Sequence, residues 1–155
     1  MSTSSEATRR RSAAVTLING DEKIIFIRRR KRDGDPWSGQ IAFPGGFVRE
    51  GEIPLEAAVR ESYEEIGYRP SKLSFFGIYH PNNAELDVYA FTDKEDLPSD
   101  LRAGDEVQDV LVIDRNELKT GKTASGYPCY TWRDVEIWGL TYRILRDYLT
   151  VNVKA

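Results

Sequence analysis

Apolar and β-branched residues run from Ala13 to Ile18, pause at Asn19-Gly20 and resume from Ile24 to Ile27. Two such runs around an Asn-Gly pair predict antiparallel strands joined by a two-residue turn. Lys31 to Gln40 contains Gly34, Pro36 and Gly39 and reads as a loop, followed by a short strand from Ile41 to Phe43 that stops at Pro44. The period then changes. Leu55, Ala58, Val59, Ser62 and Ile66 form one stripe of a helix. Pro54 suits its first position and Gly67 the residue just past its end.

Further along, Leu73 to Tyr79, Leu86 to Phe91, Val107 to Ile113 and Tyr127 to Trp132 read as strands. Asp114 is the expected cap of a short helix ending near Lys119, and Gly121 to Gly126 reads as a loop. Ile137 to Leu149 predicts a closing amphipathic helix, with Leu140, Ile144, Leu145 and Tyr148 inward and Trp138 in the core. The order is mixed α/β with two principal helices. Met1 to about Arg11 is expected to be a tail, leaving one domain over residues 12–155.

Composition narrows the class. A chain of 155 residues suits one hydrophobic core. Its formal net charge of -3 argues against wholesale nucleic-acid binding, and no aromatic stacking pattern interleaves the basic block from Arg28 to Arg32. That block is either a solvated strand end or a patch attracting phosphate-bearing ligands. The single cysteine, Cys129, cannot form an internal disulfide, and no apolar run approaches a membrane span. A cytoplasmic protein without a membrane partner is the expectation.

The chemistry concentrates in Gly45 to Tyr68, GGFVREGEIPLEAAVRESYEEIGY. On the expected helix, Glu61, Glu64 and Glu65 stand at i, i+3 and i+4 and share one side, away from the apolar stripe. Like charges at that spacing disfavour a helix by about 0.2–0.5 kcal/mol per pair, and Arg60 offsets only part of this. The glutamates are either a solvated acidic face or ligands for a hard divalent cation such as Mg²⁺ or Mn²⁺.

Gly46, Glu52, Arg60, Glu61, Glu64, Glu65 and Gly67 fall at the spacing G-x5-E-x7-R-E-x-x-E-E-x-G. This is similar to the signature of the Nudix hydrolases, which cleave nucleoside diphosphates linked to another moiety. The resemblance implies an α/β/α sandwich around a mixed sheet. It implies that Glu61, Glu64, Glu65 and the Gly45 carbonyl bind Mg²⁺ or Mn²⁺, with Glu61 closest to the activated water. Arg60 and Glu52 are implied as a supporting ion pair, and Gly46 as the residue that lets the backbone turn close to the site. Ser62 stands where an aliphatic residue is customary and Tyr68 takes the final aliphatic place, departures that bear on local stability rather than chemistry. Phe43 is the expected anchor of the loop before Gly45.

Gly34 to Gly46, ending in the G-x-x-x-F-P-G-G of Gly39, Phe43, Pro44, Gly45 and Gly46, resembles the coenzyme A pyrophosphatase branch. Tyr130 to Leu149, with Ile137-Trp138-Gly139-Leu140-Thr141, resembles it too. Arg30 matches one arginine of that branch's upstream pattern, whereas Asp35 replaces the other. The implied substrates are coenzyme A or its thioesters, with ADP-ribose, other nucleotide sugars and oxidised nucleoside triphosphates as alternatives. A nucleotide-binding module without turnover is the non-enzymatic alternative, and the resemblance is compatible with a homodimer. Arg28, Arg30 or Lys31 would hold the distal phosphate, Trp37 would pack the loop or stack on a base, and Glu106 would assist as base or ligand, with Glu85 and Asp105 as competitors.

Overall fold

Strand alternation sets which way the first hairpin faces, and the computed structural model describes residues 10–34, 39–81 and 85–151 of the chain. β1 (Arg11–Gly20) and β2 (Lys23–Arg29) pair only beside their turn, at Asn19 with Ile24 and Gly20 with Lys23. They then part. β1 continues against β4 (Gly45–Phe47) and, in parallel, β6 (Leu86–Asp93), while β2 pairs with β3 (Ile41–Ala42) and β7 (Val107–Asp114). β5 (Ser74–Tyr79) closes the other edge on β6. One parallel pair among antiparallel ones makes the seven-stranded sheet mixed. β8 (Lys119–Lys122), β9 (Pro128–Trp132) and β10 (Val135–Trp138) form a small antiparallel sheet beside it.

The two helices cover opposite sides. Ile18, Ile25 and Ile27 pack with Ile66 of α1 (Pro54–Ile66), while Ala14 and Phe91 meet Ala57 and Ala58. Leu17, Ile24 and Phe26 pack instead with Ile144, Leu145 and Tyr148 of α2 (Gly139–Val151). The fold is the expected α/β/α sandwich. Docking holds α1 more than capping does: its N-cap, Ile53, offers no side-chain acceptor, and only the Ile53 N–H is satisfied, by Glu56 Oε1 at 3.0 Å. A good N-cap is worth about 1 kcal/mol, whereas burying a side chain such as Ile66 contributes roughly 1.5–3 kcal/mol. Gly67 ends the helix at φ 76°, the left-handed conformation that glycine adopts without a Cβ penalty.

Four details differ from the sequence expectations. The hairpin turn is Asp21-Glu22, with φ of 50° and 70°, rather than Asn19-Gly20. Asn19 and Gly20 are occupied elsewhere: Asn19 Oδ1 accepts from the Tyr148 hydroxyl at 2.7 Å, and a Cβ on Gly20 would stand 2.6 Å from the Glu95 carbonyl oxygen. Arg11 begins β1, with its guanidinium 3.6 Å from the Phe47 ring centroid, and Arg10 bonds Glu85 and Asp87. Lys119–Lys122 is a strand that takes up the expected end of the short helix and the first two residues of the expected loop, Gly121 and Lys122, after a single 3-10 turn over Arg115–Glu117 capped by Asp114. Ile137 and Trp138 belong to β10, not to the closing helix. Gly139, at φ 70°, separates the two elements, and Trp138 is a half-exposed ring stacked on Tyr127 rather than core.

Candidate active site on the glutamate helix

The loop entering the site is pinned before it reaches Gly45. Phe43 is 3% exposed and stacks on Phe26 with ring centroids 5.1 Å apart, and the Pro44 carbonyl accepts from Thr16 N–H at 2.9 Å. Gly45 N–H then donates to Glu65 Oε1 at 2.8 Å, so strand and helix are tied at the glutamates. A Cβ on Gly46 would collide with the Glu61 carboxylate, so that close approach requires glycine.

Arg60 organises the rest. Its Nε donates to Glu52 Oε2 at 2.7 Å, and Nη2 donates to Glu52 Oε1 and the Phe47 carbonyl, both at 3.0 Å. Nη1 reaches Glu61 Oε1 at 2.6 Å and Glu64 Oε1 at 3.2 Å. Glu52 also accepts from Arg49 N–H at 2.9 Å, and these bonds, the arginine's first, hold its carboxyl down at about 2. The other carboxyls move the opposite way. Burial pushes Glu65 up to about 8, opposed by the Gly45 hydrogen bond and by Arg29 and reinforced by the charges of Glu61 and Glu64. Burial also raises Glu61, against the pull of Arg60. Among the described residues, no three His, Cys, Asp or Glu side chains converge as a ready-made cage. The donor set nevertheless fits a hard divalent ion: three carboxylates crowd one side of the helix, the charge of Glu64 adds to the rise of both Glu61 and Glu65, and one guanidinium serves only Glu61 and Glu64.

The acidic side of α1 opens on a cleft of about 450 Å³ lined by Glu61, Tyr63, Glu64, Glu65, Arg102, Asp105 and Glu106. Glu106 is there as expected from sequence, with its carboxylate paired to Arg32 at 2.6 Å, and Asp105 beside it. Glu85 is not among the lining residues and pairs with Arg10 at 3.0 Å. The basic block divides. Arg28 and Lys31 line a second cleft of about 470 Å³ with Gln40, Thr131, Arg133 and Trp138, and share none of the first cleft's walls. Arg30 donates to the Asp105 and Val107 carbonyls at 2.8 and 3.3 Å. Arg29, whose charge acts on Glu65, is a residue the sequence reading passes over, as are Tyr63 and Arg102. Alternation after Ile25 and Ile27 was the available signal for Arg29. Trp37 lies outside the described residues. His80, half of a surface pair with Asp87 at 2.9 Å, and buried Cys129 stand apart from the cleft lining.

Ser62 and Tyr68 have a visible purpose. Ser62 Oγ donates to the Tyr68 carbonyl at 2.7 Å, and the Tyr68 hydroxyl donates to Asp93 Oδ2 at 2.6 Å. Polar side chains thus fasten the end of α1 to β6 where aliphatic packing is customary.

Residues 8–132 match the family described as NUDIX domain. The chain is 36% identical over 107 residues to the ADP-ribose pyrophosphatase of Methanocaldococcus jannaschii, covering 66% of this chain and 60% of that protein. It is 41% identical over 63 residues to the 8-oxo-dGTP diphosphatase of Escherichia coli, covering 41% of this chain and 48% of that protein. These alignments therefore span less than two thirds of either relative's length. A crystal structure of a NUDIX hydrolase from Nitrosomonas europaea shares the fold, with a TM-score of 0.69 at 18% identity over 93% of this chain and 72% of that one.

Proposed function

The chain belongs to the Nudix family, and from that premise we propose that it hydrolyses the pyrophosphate linkage of a nucleoside diphosphate derivative. The observation that carries the reading is the glutamate helix: Glu61, Glu64 and Glu65 face one cleft, braced by Arg60 on Glu52 and by Gly45 N–H on Glu65. A pure binding module has no need of that brace.

Nudix hydrolases depend on divalent metal. Glu61, Glu64, Glu65 and the Gly45 carbonyl are the groups that would hold Mg²⁺ or Mn²⁺. When bound, such an ion neutralises phosphoryl oxygens and lowers the pKa of a coordinated water. The chain's own residues do the rest. Glu52 fixes the Arg60 guanidinium, which orients Glu61 and Glu64. Gly46 leaves room for the Glu61 carboxylate, and Gly45 sets the rotation of Glu65. Asp105 and Glu106, also lining the cleft, are carboxylates able to accept a proton from attacking water.

ADP-ribose is the favoured substrate class, because 36% identity joins the chain to a protein named for that activity. Coenzyme A is the second reading, supported by the likeness of Gly39 to Gly46 and of Ile137 to Thr141 to that branch. A panel of ADP-ribose, coenzyme A and 8-oxo-dGTP, assayed with Mg²⁺ and Mn²⁺, decides between them. Glu61→Gln is expected to lower turnover by about 10²-fold or more, the order lost when a group beside the reacting atoms no longer holds its place, without changing the melting temperature. Retained turnover would remove Glu61 from the chemistry.

A further inference from the structure

Five carboxylates and one guanidinium line the acidic cleft, and the guanidinium belongs to Arg102. The neighbouring arginines are engaged. Arg60 is held by Glu52, Glu61 and Glu64, Arg32 by Glu106, and Arg30 by two backbone carbonyls. Arg102 differs. Among the described residues it forms no ion pair, although Asp105 and Glu106 follow it closely in the chain. Its guanidinium lies 5.5 Å from the Tyr63 ring centroid, while Arg69 stands 4.1 Å from the same ring centroid.

The segment carrying Arg102 is strapped to α1. Arg102 N–H donates to the Ile66 carbonyl at 3.1 Å, and Gly104 N–H donates to the Glu65 carbonyl at 2.9 Å. A Cβ on Gly104 would strike the Glu64 carbonyl oxygen. These bonds satisfy carbonyls that the last turn of a helix leaves without donors. They also register Arg102 against the same turn that carries Glu64 and Glu65.

We propose that Arg102 is a substrate-contacting residue that grips a phosphate of the diphosphate linkage, with Tyr63 as the platform that holds its guanidinium clear of the carboxylates. The inference rests on the hydrolase reading above. A diphosphate bridge is anionic, and a cleft dominated by carboxylates repels it wherever a cation does not intervene. The planar guanidinium fork matches two phosphate oxygens at once, a geometry lysine cannot reproduce. An arginine already paired to a carboxylate would have to leave it, whereas Arg102 gives up only a tyrosine contact. The competing role is structural. The guanidinium also lies over Gly67 at the C-terminus of α1, where any positive charge favours the helix dipole.

Arg102→Lys separates the two roles, since it keeps the charge and loses the fork. With ADP-ribose and Mn²⁺, Arg102→Ala and Arg102→Lys are both expected to raise KM about tenfold or more, the effect of losing one charge-assisted hydrogen bond, with kcat little changed. Arg102→Lys should melt like the parent. ADP-ribose titrated calorimetrically into Glu61→Gln should lose affinity by the same factor once Arg102→Ala is added. If the parent cleaves ADP-ribose and both variants keep its KM and affinity, the Arg102 assignment falls and the hydrolase reading stands. A KM restored by lysine also overturns the assignment, since it would reduce Arg102 to a charge at the helix end. If the parent neither cleaves nor binds ADP-ribose, coenzyme A or 8-oxo-dGTP, both readings fall.

Discussion

A methyl group added at Gly45 and one added at Gly46 meet different obstacles, and the difference should separate stability from activity. At position 45 the new Cβ would press on the Ala14 carbonyl and stand 2.6 Å from Val15 Cγ1 and 2.8 Å from Val15 Cα. β1 cannot yield, because it is hydrogen-bonded to β4 on one side and β6 on the other. Overpacking of this kind costs about 1–3 kcal/mol. For a chain of 155 residues that lowers the melting temperature by about 2–12 °C. At position 46 the obstacle is the far end of the Glu61 side chain, which can swing away. Gly46 is not among the glycines with positive φ, so alanine brings no backbone strain there. An off-rotamer Glu61 costs of order 0.5–1.5 kcal/mol, yet a catalytic carboxylate displaced by about 1 Å can forfeit about 10² in rate. Calorimetric melting should therefore distinguish the variants, Gly45→Ala less stable and Gly46→Ala near-parental, while kcat on ADP-ribose falls about a hundredfold in Gly46→Ala without that loss of stability. Full turnover in Gly46→Ala would refute the claim that Glu61 must hold its observed position.

Two further outcomes follow from the same geometry. Tyr68→Phe removes the hydroxyl that donates to Asp93, a fully buried carboxylate that keeps only the Glu95 N–H at 3.1 Å among the described donors. A hydrogen bond to a charged group is worth about 1.5–3 kcal/mol, so denaturant unfolding should register a loss of that order, and a change under about 0.5 kcal/mol would contradict it. The second outcome concerns pH. Burial lifts Glu65 from the ordinary 4.5 to about 8, so the folded chain keeps a proton that the unfolded chain has released. Stability of the metal-free protein should therefore fall as pH rises across that window, and Mn²⁺, which binds the carboxylate form, should offset the fall. Glu52, held at about 2, adds stability above 4.5 that disappears only on acidification below it, so it does not blur the window. Urea midpoints that climb with pH in chelator would contradict the assignment.

What could be read from the sequence, and what could not, divides along local and distant causes. The glutamate helix is legible because its stripe, its Pro54 start, its Gly67 stop and its acidic side are all set within one segment. The division of the basic block is legible in principle, since β2 continues past Ile25 and Ile27 and the same period puts Arg29 on the side of α1 and Arg28 on the other. Asn19-Gly20 misleads because its residues answer to partners far along the chain, Tyr148 and the Glu95 to Leu97 segment, which no hairpin rule includes. Ile137 and Trp138 fit a helical stripe equally well as a strand, and pairing with Tyr130 and Cys129 decides the matter.

Arg102 is the least legible residue of the cleft, because nothing in Leu101 to Glu106 shows periodicity. Its place follows from Gly104, where only a residue without a side chain lets the loop approach Glu64 closely enough to bond the end of α1. Positions that depart from the family pattern carry information of the same kind. Ser62 and Tyr68 look like lost packing when read one at a time, yet they are one connected hydrogen-bonded unit across the end of the helix. Two departures that compensate each other in space imply that the end of α1 must stay rigid, and that rigidity is what keeps Glu64 and Glu65 in register with the strap that presents Arg102.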